Sequence, residues 1–392
     1  MLRLAIRLAL AGATLAACGS TVLPPRHPKQ NAAKADARDF RAQARDAAQN
    51  GEIEDADRLY AQAYDAAKDF AVLDERVHFL IHAGRAQRAA DAAKVYYDAN
   101  MTDIKGYDLY AEALLAQEKG PEALVVAQQM VDLNANDPTG HEQKGRALIL
   151  NEKMDEGLDE LHKAVHLDPS SEALHVALGN ALVKAGKIEE AQLEFQAAIK
   201  VTPNDADARV LLGAAQRGME QFDDAKASLD KAVELDPRNG RAYFELGLLY
   251  NAQHKQADAE QALSRAVQLS PNESLFLYAY GEIFRLSQRF DDAINAYKKA
   301  VELDPPYPKA LTKLGLLLLD KKQYDDAEIV LTQGVRREPK NAANYFPLGK
   351  LYAAQKKKPQ ALEAFEKFLD LAPKGDPDRA PAREAVAELK RR

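Results

Sequence analysis

The chain has 392 residues, which is too long for one ordinary hydrophobic core but suits a repeat array. Apolar residues make up 46%, tryptophan is absent, and runs with the period-two alternation of strands are missing, so the composition favours an all-α protein. The formal net charge of -7 provides no general positive field for nucleic acid, and the single cysteine excludes an intramolecular disulfide.

The N-terminal residues have the pattern of a secretory signal. Arg3 and Arg7 supply a positive start, and the apolar stretch of residues 8–17 is too short to span a bilayer and ends in small residues. Residues 15–18, Leu-Ala-Ala-Cys, resemble the lipobox of bacterial lipoproteins. In that family the cysteine is acylated and the chain is cut before it, which implies lipidation of Cys18.

The resemblance predicts a signal peptide over residues 1–17, followed by a membrane anchor. Several acyl chains on Cys18 would hold the protein stably, because each buried methylene contributes about 0.8 kcal/mol. Gly19 and Ser20 come next, and in Gram-negative members of the family the absence of an acidic residue here implies sorting to the outer membrane. The alternative is an ordinary signal peptide that happens to contain a cysteine. Residues 18–36, which are proline-containing and polar, are expected to form a flexible tether.

Proline and glycine recur with a period of 34 residues over most of the remaining chain. The prolines are Pro169, Pro203, Pro237, Pro271, Pro305, Pro339 and Pro373, and the glycines are Gly145, Gly179, Gly213, Gly247, Gly281, Gly315 and Gly349. Residues 172–205 carry Leu178, Gly179, Leu182, Ala191, Phe195, Ala198 and Pro203 in the order and spacing of the tetratricopeptide-repeat (TPR) signature. The chain is therefore similar to TPR proteins, whose repeat is a pair of antiparallel helices.

Each position of this signature has a physical role. Gly179 and Ala191 are small where the two helices of a unit cross, so a larger side chain would force them apart. Phe195 fills the gap against the next unit, and Pro203 ends the second helix. The turns Asp-Pro-Ser-Ser, Asp-Pro-Arg-Asn and Ser-Pro-Asn-Glu are expected to cap the first helices that follow them.

The resemblance implies an all-α TPR solenoid, a right-handed superhelix of antiparallel helix pairs, with about ten units over residues 37–375. The units are expected at 37–69, 70–103, 104–137, 138–171, 172–205, 206–239, 240–273, 274–307, 308–341 and 342–375, and the first two or three are degenerate. Pro347 falls within a predicted first helix and is expected to kink it. Residues 376–392 are expected to form a capping helix with a polar outer face.

First helices line the concave face of such a superhelix, and the helical period predicts which side chains point into it. In the C-terminal half these are Phe244, Leu248, Tyr278, Glu282, Arg285, Thr312, Leu316, Phe346 and Lys350. Arg241 and Lys309 flank them and complete the candidate binding surface. Aromatic and arginine side chains dominate binding at protein interfaces, and this mixture suits a peptide with some acidic residues. The alternative is that they only cover the inner helices. Chaperone-binding TPR domains grip a carboxylate with lysine and asparagine; Asn180 matches, but Val176 replaces the lysine, so that mode is not expected.

Other candidate chemistry has a structural interpretation. His78 with His82, and His162 with His166, are four residues apart and could share a metal ion. No cysteine or carboxylate–histidine motif completes either pair, so we interpret them as solvated and expect neither metal nor cofactor. Paired acids such as residues 223–224 recur at the starts of second helices, where carboxylates favour the helix dipole. No phosphate loop or nucleophile elbow occurs, so neither an enzyme nor a small-molecule substrate is expected.

The expected function is a non-enzymatic scaffold for protein–protein interactions, anchored to the outer membrane and facing the periplasm. Similar TPR lipoproteins assist the assembly of pili, secretion systems or polysaccharide-export systems, and others place peptidoglycan hydrolases. The expected partners are envelope proteins or peptide segments in the concave groove, and the membrane through the lipid anchor. A self-associating structural protein of the envelope is the alternative.

Overall fold

The computed structural model describes residues 28–303 and 307–391. These residues form 21 α-helices and one short 3₁₀ helix, with no strand among them. The all-α fold class expected from the sequence is confirmed. Within the described ranges, no helix combines the length and the apolar character needed to cross a membrane. The helices up to Ala135 form one compact unit, and those from Asn136 onward form another.

The first unit contains six helices, which are α1 (Pro28–Gln49), α2 (Ile53–Ala67), α3 (Phe70–His82), α4 (Ala86–Ala99), α5 (Ile104–Ala116) and α6 (Gly120–Leu133). Odd-numbered helices are the first helices of their pairs, and even-numbered helices are the second. Helix α1 begins at Pro28, inside the stretch 18–36 for which a flexible tether is expected, so residues 28–36 are helical. Proline is favoured in the first turn of a helix, and the alanine-rich sequence after it propagates one.

Ion pairs join the first helices of this unit. The Glu75 carboxylate on α3 accepts hydrogen bonds from Arg41 and Arg45 on α1, with Arg41 Nη2 at 2.6 Å. The hydrogen bond from Arg41 is the main reason that the pKa of Glu75 falls to about 2. Next along the unit, His78 Nε2 lies 3.1 Å from the Glu112 carboxylate on α5, and this contact raises the pKa of His78 to about 9.

The second unit continues the pairs with α7 (Pro138–Leu150), α8 (Met154–Leu167), α9 (Glu172–Lys184), α10 (Ile188–Val201), α11 (Ala206–Gly218), α12 (Phe222–Leu235), α13 (Gly240–Ala252), α14 (Gln256–Leu269), α15 (Ser274–Leu286), α16 (Phe290–Glu302), α17 (Pro308–Asp320), α18 (Tyr324–Arg337), α19 (Tyr345–Ala354) and α20 (Lys358–Leu371). A last helix, α21 (Arg379–Arg391), packs on α20 and buries Ala382. Each helix pair packs its apolar side against the next pair. The hydrophobic core therefore continues along the unit from one pair to the next.

Small residues let the two helices of a pair approach closely. A Cβ atom added to Gly179 on α9 would lie 2.5 Å from Cε1 of Phe195 on α10. A Cβ atom on Gly281 would lie 2.6 Å from Cε1 of Tyr297 in the same arrangement. The large side chain of the second helix therefore occupies the space that the glycine of the first helix leaves open.

Several first helices begin at a side-chain cap. The Asp205 carboxylate accepts hydrogen bonds from the backbone N–H groups of Asp207, at 2.7 Å, and of Ala208, at 3.2 Å. Asn239 caps α13 in the same way. These caps satisfy backbone donors that have no partner inside the helix. The cap expected from Ser-Pro-Asn-Glu is wrong, because Glu273 stands at the cap of α15 without a side-chain bond.

The turn between the helices of a pair contains one residue with a left-handed backbone. At this turn position φ lies between 58° and 63° in Glu118, Glu152, Glu220, His254, Gln288, Lys322 and Lys356, all of which are exposed. Gly186 takes the same position with φ 77°. Such a conformation costs little for glycine and roughly 1–2 kcal/mol for other residues.

Pro347 does not lie in the interior of a helix. A 3₁₀ helix, Ala342–Asn344, precedes α19, and α19 itself starts at Tyr345. Pro347 is therefore in the first turn, where its missing N–H group has no intrahelical partner to lose. The prediction of a kink at Pro347 is therefore wrong, and a 3₁₀ helix lies before α19 instead.

Candidate partner-binding surface

The first helices of the second unit lie next to one another. Contacts join α7 to α9, α11 to α13, α13 to α15 and α17 to α19. Arg217 Nη2 on α11 donates to the Glu245 carboxylate on α13 at 3.0 Å, and the Thr312 hydroxyl on α17 donates to Asn344 Oδ1 at 2.8 Å. We call the solvent-facing side of these first helices the first-helix face.

Two of the predicted site residues, Glu282 and Arg285, are hydrogen-bonded to each other, and a third, Tyr278, makes ring contacts next to them. Glu282 accepts hydrogen bonds from Arg285, at 2.9 Å, and from the hydroxyl of Tyr297. Burial would raise the pKa of Glu282, but these two hydrogen bonds hold it below its usual value. The ring centres of Tyr278 and Tyr307 lie 4.7 Å apart. Burial raises the pKa of Tyr278 to about 12. Most of the charge of Arg285 is thus compensated within the protein.

Two predicted apolar residues belong to the core. Phe244 is only 6% exposed, and its ring stacks on that of Phe276 with centroids 4.5 Å apart. Leu248 is half-buried against the same cluster. The expectation that Phe244 points into the groove is therefore wrong, because it packs against the next first helix. Leu316 is half-buried on α17.

The C-terminal part of the face presents exposed positive charges. Arg241, Lys309 and Lys350 are exposed, and no ion pair joins them to any residue that the structure describes. The ammonium of Lys350 lies 5.9 Å from the ring centre of Phe346, which is half-buried against Phe368. These cations are available to a ligand, whereas the predicted aromatic residues are largely used in packing.

A groove of about 610 Å³ lies further toward the N-terminal end of the face, where no site is expected from the sequence. It is lined by Glu142, Arg146, Ile149, Leu161, Glu172, Ala173, Val176, Ala177, Asn180, Ala181, Lys184, Asp205 and Asp207. The small residues Ala173, Val176, Ala177 and Ala181 of α9 form part of its lining, and aromatic side chains are missing from that lining. Asn180 and Val176, the pair considered for carboxylate binding, lie in this groove.

Several histidines have structural partners. His78 Nδ1 lies 2.9 Å from the Asp74 carbonyl oxygen, so both of its ring nitrogens face protein acceptors. His162 and His166 are exposed on α8. His175 Nδ1 lies 2.7 Å from the Glu194 carboxylate. Among residues 28–303 and 307–391, no three ionisable side chains are grouped as metal ligands.

Two family models match the second unit. The model described as TPR repeat matches residues 179–219 and 281–322, and the one described as tetratricopeptide repeat matches residues 212–274 and 312–376. No curated protein sequence matches the chain.

Solved structures of repeat proteins resemble the chain in fold. Yeast Tom70 is similar with 15% sequence identity and a TM-score of 0.54, covering 91% of this chain and 95% of that one. Human IFIT1, in a dimer with PPP-AAAA, is similar with 16% identity and a TM-score of 0.51, covering 85% of this chain and 82% of that one. At these identities the likeness concerns the fold alone.

Proposed function

Because the chain carries tetratricopeptide repeats, a fold that serves as a protein-interaction scaffold, we propose that it is a lipid-anchored scaffold of the bacterial envelope. In this proposal the first-helix face holds envelope proteins or their peptide segments. The scaffold then assists the assembly of an envelope machine such as a pilus, a secretion system or a polysaccharide-export system. The observation that carries the binding role is that Arg241, Lys309 and Lys350, on three of the first helices, are exposed cations.

The proposed location is the outer membrane, facing the periplasm. Support comes from the lipobox-like residues 15–18 and from Gly19, which is not acidic. These residues lie outside the part of the chain that the structure describes. With several acyl chains on one residue, the anchor would be stable without any membrane-spanning helix.

Replacement of the lipidated cysteine tests the anchor. We expect Cys18→Ser to move the protein out of the membrane fraction, because the single cysteine is the proposed site of acylation. Fractionation of cell envelopes, followed by immunoblotting, measures the change. Ser20→Ala is the control and should stay with the outer membrane. Normal partition of Cys18→Ser into membranes would contradict the anchor.

Charge reversal tests the binding face. We expect the triple variant Arg241→Glu, Lys309→Glu, Lys350→Glu to reduce partner capture about tenfold, since each exposed pair contributes roughly 0.5 kcal/mol. The measurement is crosslinking in cells, followed by quantitative mass spectrometry of the captured envelope proteins. Phe244 and Tyr278 are left unchanged because their rings pack against other aromatic residues, and truncation would disturb the fold.

The matched control carries the same charge change on second helices. Lys200→Glu, Lys298→Glu and Lys299→Glu replace exposed lysines away from the first-helix face. This variant should capture partners as the unmodified protein does. Equal capture by both variants would remove the binding role of the cations. Recovery of self-adducts alone would favour a self-associating structural protein instead.

A further inference from the structure

The groove between the first helices α7 and α9 and the start of α11 has an apolar floor. Val176, Ala177 and Ala181 on α9 face Ile149 on α7 across it. These four side chains are short, and the longer side chains of Arg146 and Lys184 line the same groove of about 610 Å³. A floor of this kind receives the aliphatic part of an extended segment.

Three carboxyl groups stand at one end of this groove. They belong to Glu172, at the start of α9, and to Asp205 and Asp207, at the start of α11. Asp205 is fixed because it caps α11, and Asp207 is fixed because Asn239 Nδ2 donates to its carboxylate at 2.8 Å. No ion pair joins any of the three to a cation of the described chain. The three carboxyl groups are therefore preorganised. Two cations also line the groove: Arg146, which lies 3.7 Å from the Glu142 carboxylate, and Lys184.

The carboxyl groups interact with one another. A hydrogen bond to Asp205, then burial, then the charges of Asp205 and Asp207 raise the pKa of Glu172 to about 7. Near neutral pH, Glu172 keeps its proton in part of the molecules, because full ionisation would place three negative charges together. A cation in the groove would relieve this repulsion.

We propose that this groove binds a peptide segment in which lysine or arginine is flanked by small apolar residues. The ammonium or guanidinium group would lie among Glu172, Asp205 and Asp207, and the aliphatic stem and its neighbours would cover Val176 and Ala177. The proposal deepens the scaffold function and rests on it, since it names the chemistry of a partner segment. It differs from the C-terminal part of the face, where exposed cations favour acidic residues.

A labelled peptide of the sequence Gly-Ala-Lys-Ala-Lys-Ala-Gly is the probe, and the same peptide with glutamate for lysine is its counterpart. Fluorescence anisotropy with the full chain in detergent, at low salt, measures both affinities. We expect the lysine peptide to bind at least about tenfold more tightly, because three carboxylates attract one ligand and repel the other. Equal binding of the two peptides by the variant Arg241→Glu, Lys309→Glu, Lys350→Glu, which lacks the cations that favour the glutamate peptide, would overturn the proposal.

Substitutions in the groove locate the binding. Glu172→Gln and Asp207→Asn should each weaken the lysine peptide about twofold at pH 8, the effect of one exposed charge pair of roughly 0.5 kcal/mol. Glu190→Gln, an exposed glutamate on α10, is the matched control and should leave the affinity unchanged. Val176→Lys places a competing cation on the floor at a half-buried position and should abolish binding while the helical content stays the same.

The pH dependence supplies a test on the unmodified protein. The ionisable groups that face Glu172 are Glu142 and Arg146 on α7, Lys184 on α9, and Asp205 and Asp207 at the start of α11. Since Glu172 loses its proton as pH rises through about 7, affinity for the lysine peptide should rise from pH 6 to pH 8. Glu172→Gln should remove that rise.

The outcomes separate this inference from the proposed function. If the lysine peptide binds Glu172→Gln and Asp207→Asn at full strength, the groove assignment fails, whatever the charge-reversal variant of the C-terminal face does. If that charge-reversal variant keeps its partners while the lysine peptide binds the groove as expected, only the role of the C-terminal cations fails.

Discussion

Replacement of Phe195 by alanine is expected to destabilise the helices around it by about 3–5 kcal/mol. The side chain is 1% exposed and belongs to a core cluster that includes Leu161 on α8, Leu178 on α9 and Leu211 on α11. Its removal therefore leaves a cavity where three successive helix pairs meet. Hydrogen exchange measures the loss best, because long repeat arrays do not unfold in one step. Amides of α9 to α11 should lose protection first.

A matched control lies on the same helix. Leu193 is 63% exposed, so Leu193→Ala should change stability by no more than about 0.5 kcal/mol. Gly179→Ala then tests the contact at the crossing, because its Cβ atom would lie 2.5 Å from Phe195 Cε1. Alone, Gly179→Ala should lower the free energy of unfolding by about 1–3 kcal/mol. In the Phe195→Ala background it should lower that free energy less, or raise it. Additive effects of the two substitutions would contradict direct contact.

Gly157→Val is the second substitution with a large expected effect, about 1–3 kcal/mol or more. A Cβ atom on Gly157 would lie 2.8 Å from the backbone oxygen of Gly145 and 2.5 Å from Cγ1 of Ile149. Backbone cannot move aside as a side chain can, so α7 and α8 would have to separate. Denaturant unfolding and hydrogen exchange over these two helices measure the result.

The control for Gly157→Val is Gly218→Ala. The nearest atom to a Cβ at Gly218 is 3.9 Å away, which is ordinary van der Waals contact. We expect that substitution to be neutral or slightly stabilising, since alanine favours helix. A Gly157→Val protein as stable as the Gly218→Ala protein would show that the close crossing of α7 and α8 is wrong.

The fold class follows from the sequence because its cause is local and repeated. Gly179 and Phe195 recur in phase with equivalent residues, and each pair specifies the same helix crossing. Gly157 is a position that the repeated pattern does not predict. It takes the place that Ala191 occupies in the next unit, and a Cβ atom on it would lie 2.5 Å from Ile149 Cγ1 and 2.8 Å from the Gly145 backbone oxygen.

The binding face is harder to predict, because the helical period gives the direction in which a side chain points but not the residue that packs against it. The helical period predicts that Phe244 points into the groove, but its ring is buried and stacks on Phe276, a residue of the next pair. Arg285 is one of the predicted site residues, but its guanidinium group forms an ion pair with the Glu282 carboxylate. The groove beside Val176 lies where α9 carries valine and alanine, and small residues of this kind form no motif that marks a binding site in a sequence.

The left-handed residues in the turns between paired helices have an electrostatic consequence. Because they occupy one position of the repeat, their exposed side chains follow the order of the pairs, with Glu152 and Glu220 early in the second unit and Lys322 and Lys356 late in it. The surrounding sequence has the same bias: residues 136–239 carry 20 acidic and 12 basic residues, and residues 240–392 carry 21 and 25. The second unit is thus an electric dipole along its repeats. The field of this dipole acts over about 10 Å at moderate ionic strength. It would orient an approaching polyampholyte along the repeats before the two molecules make contact.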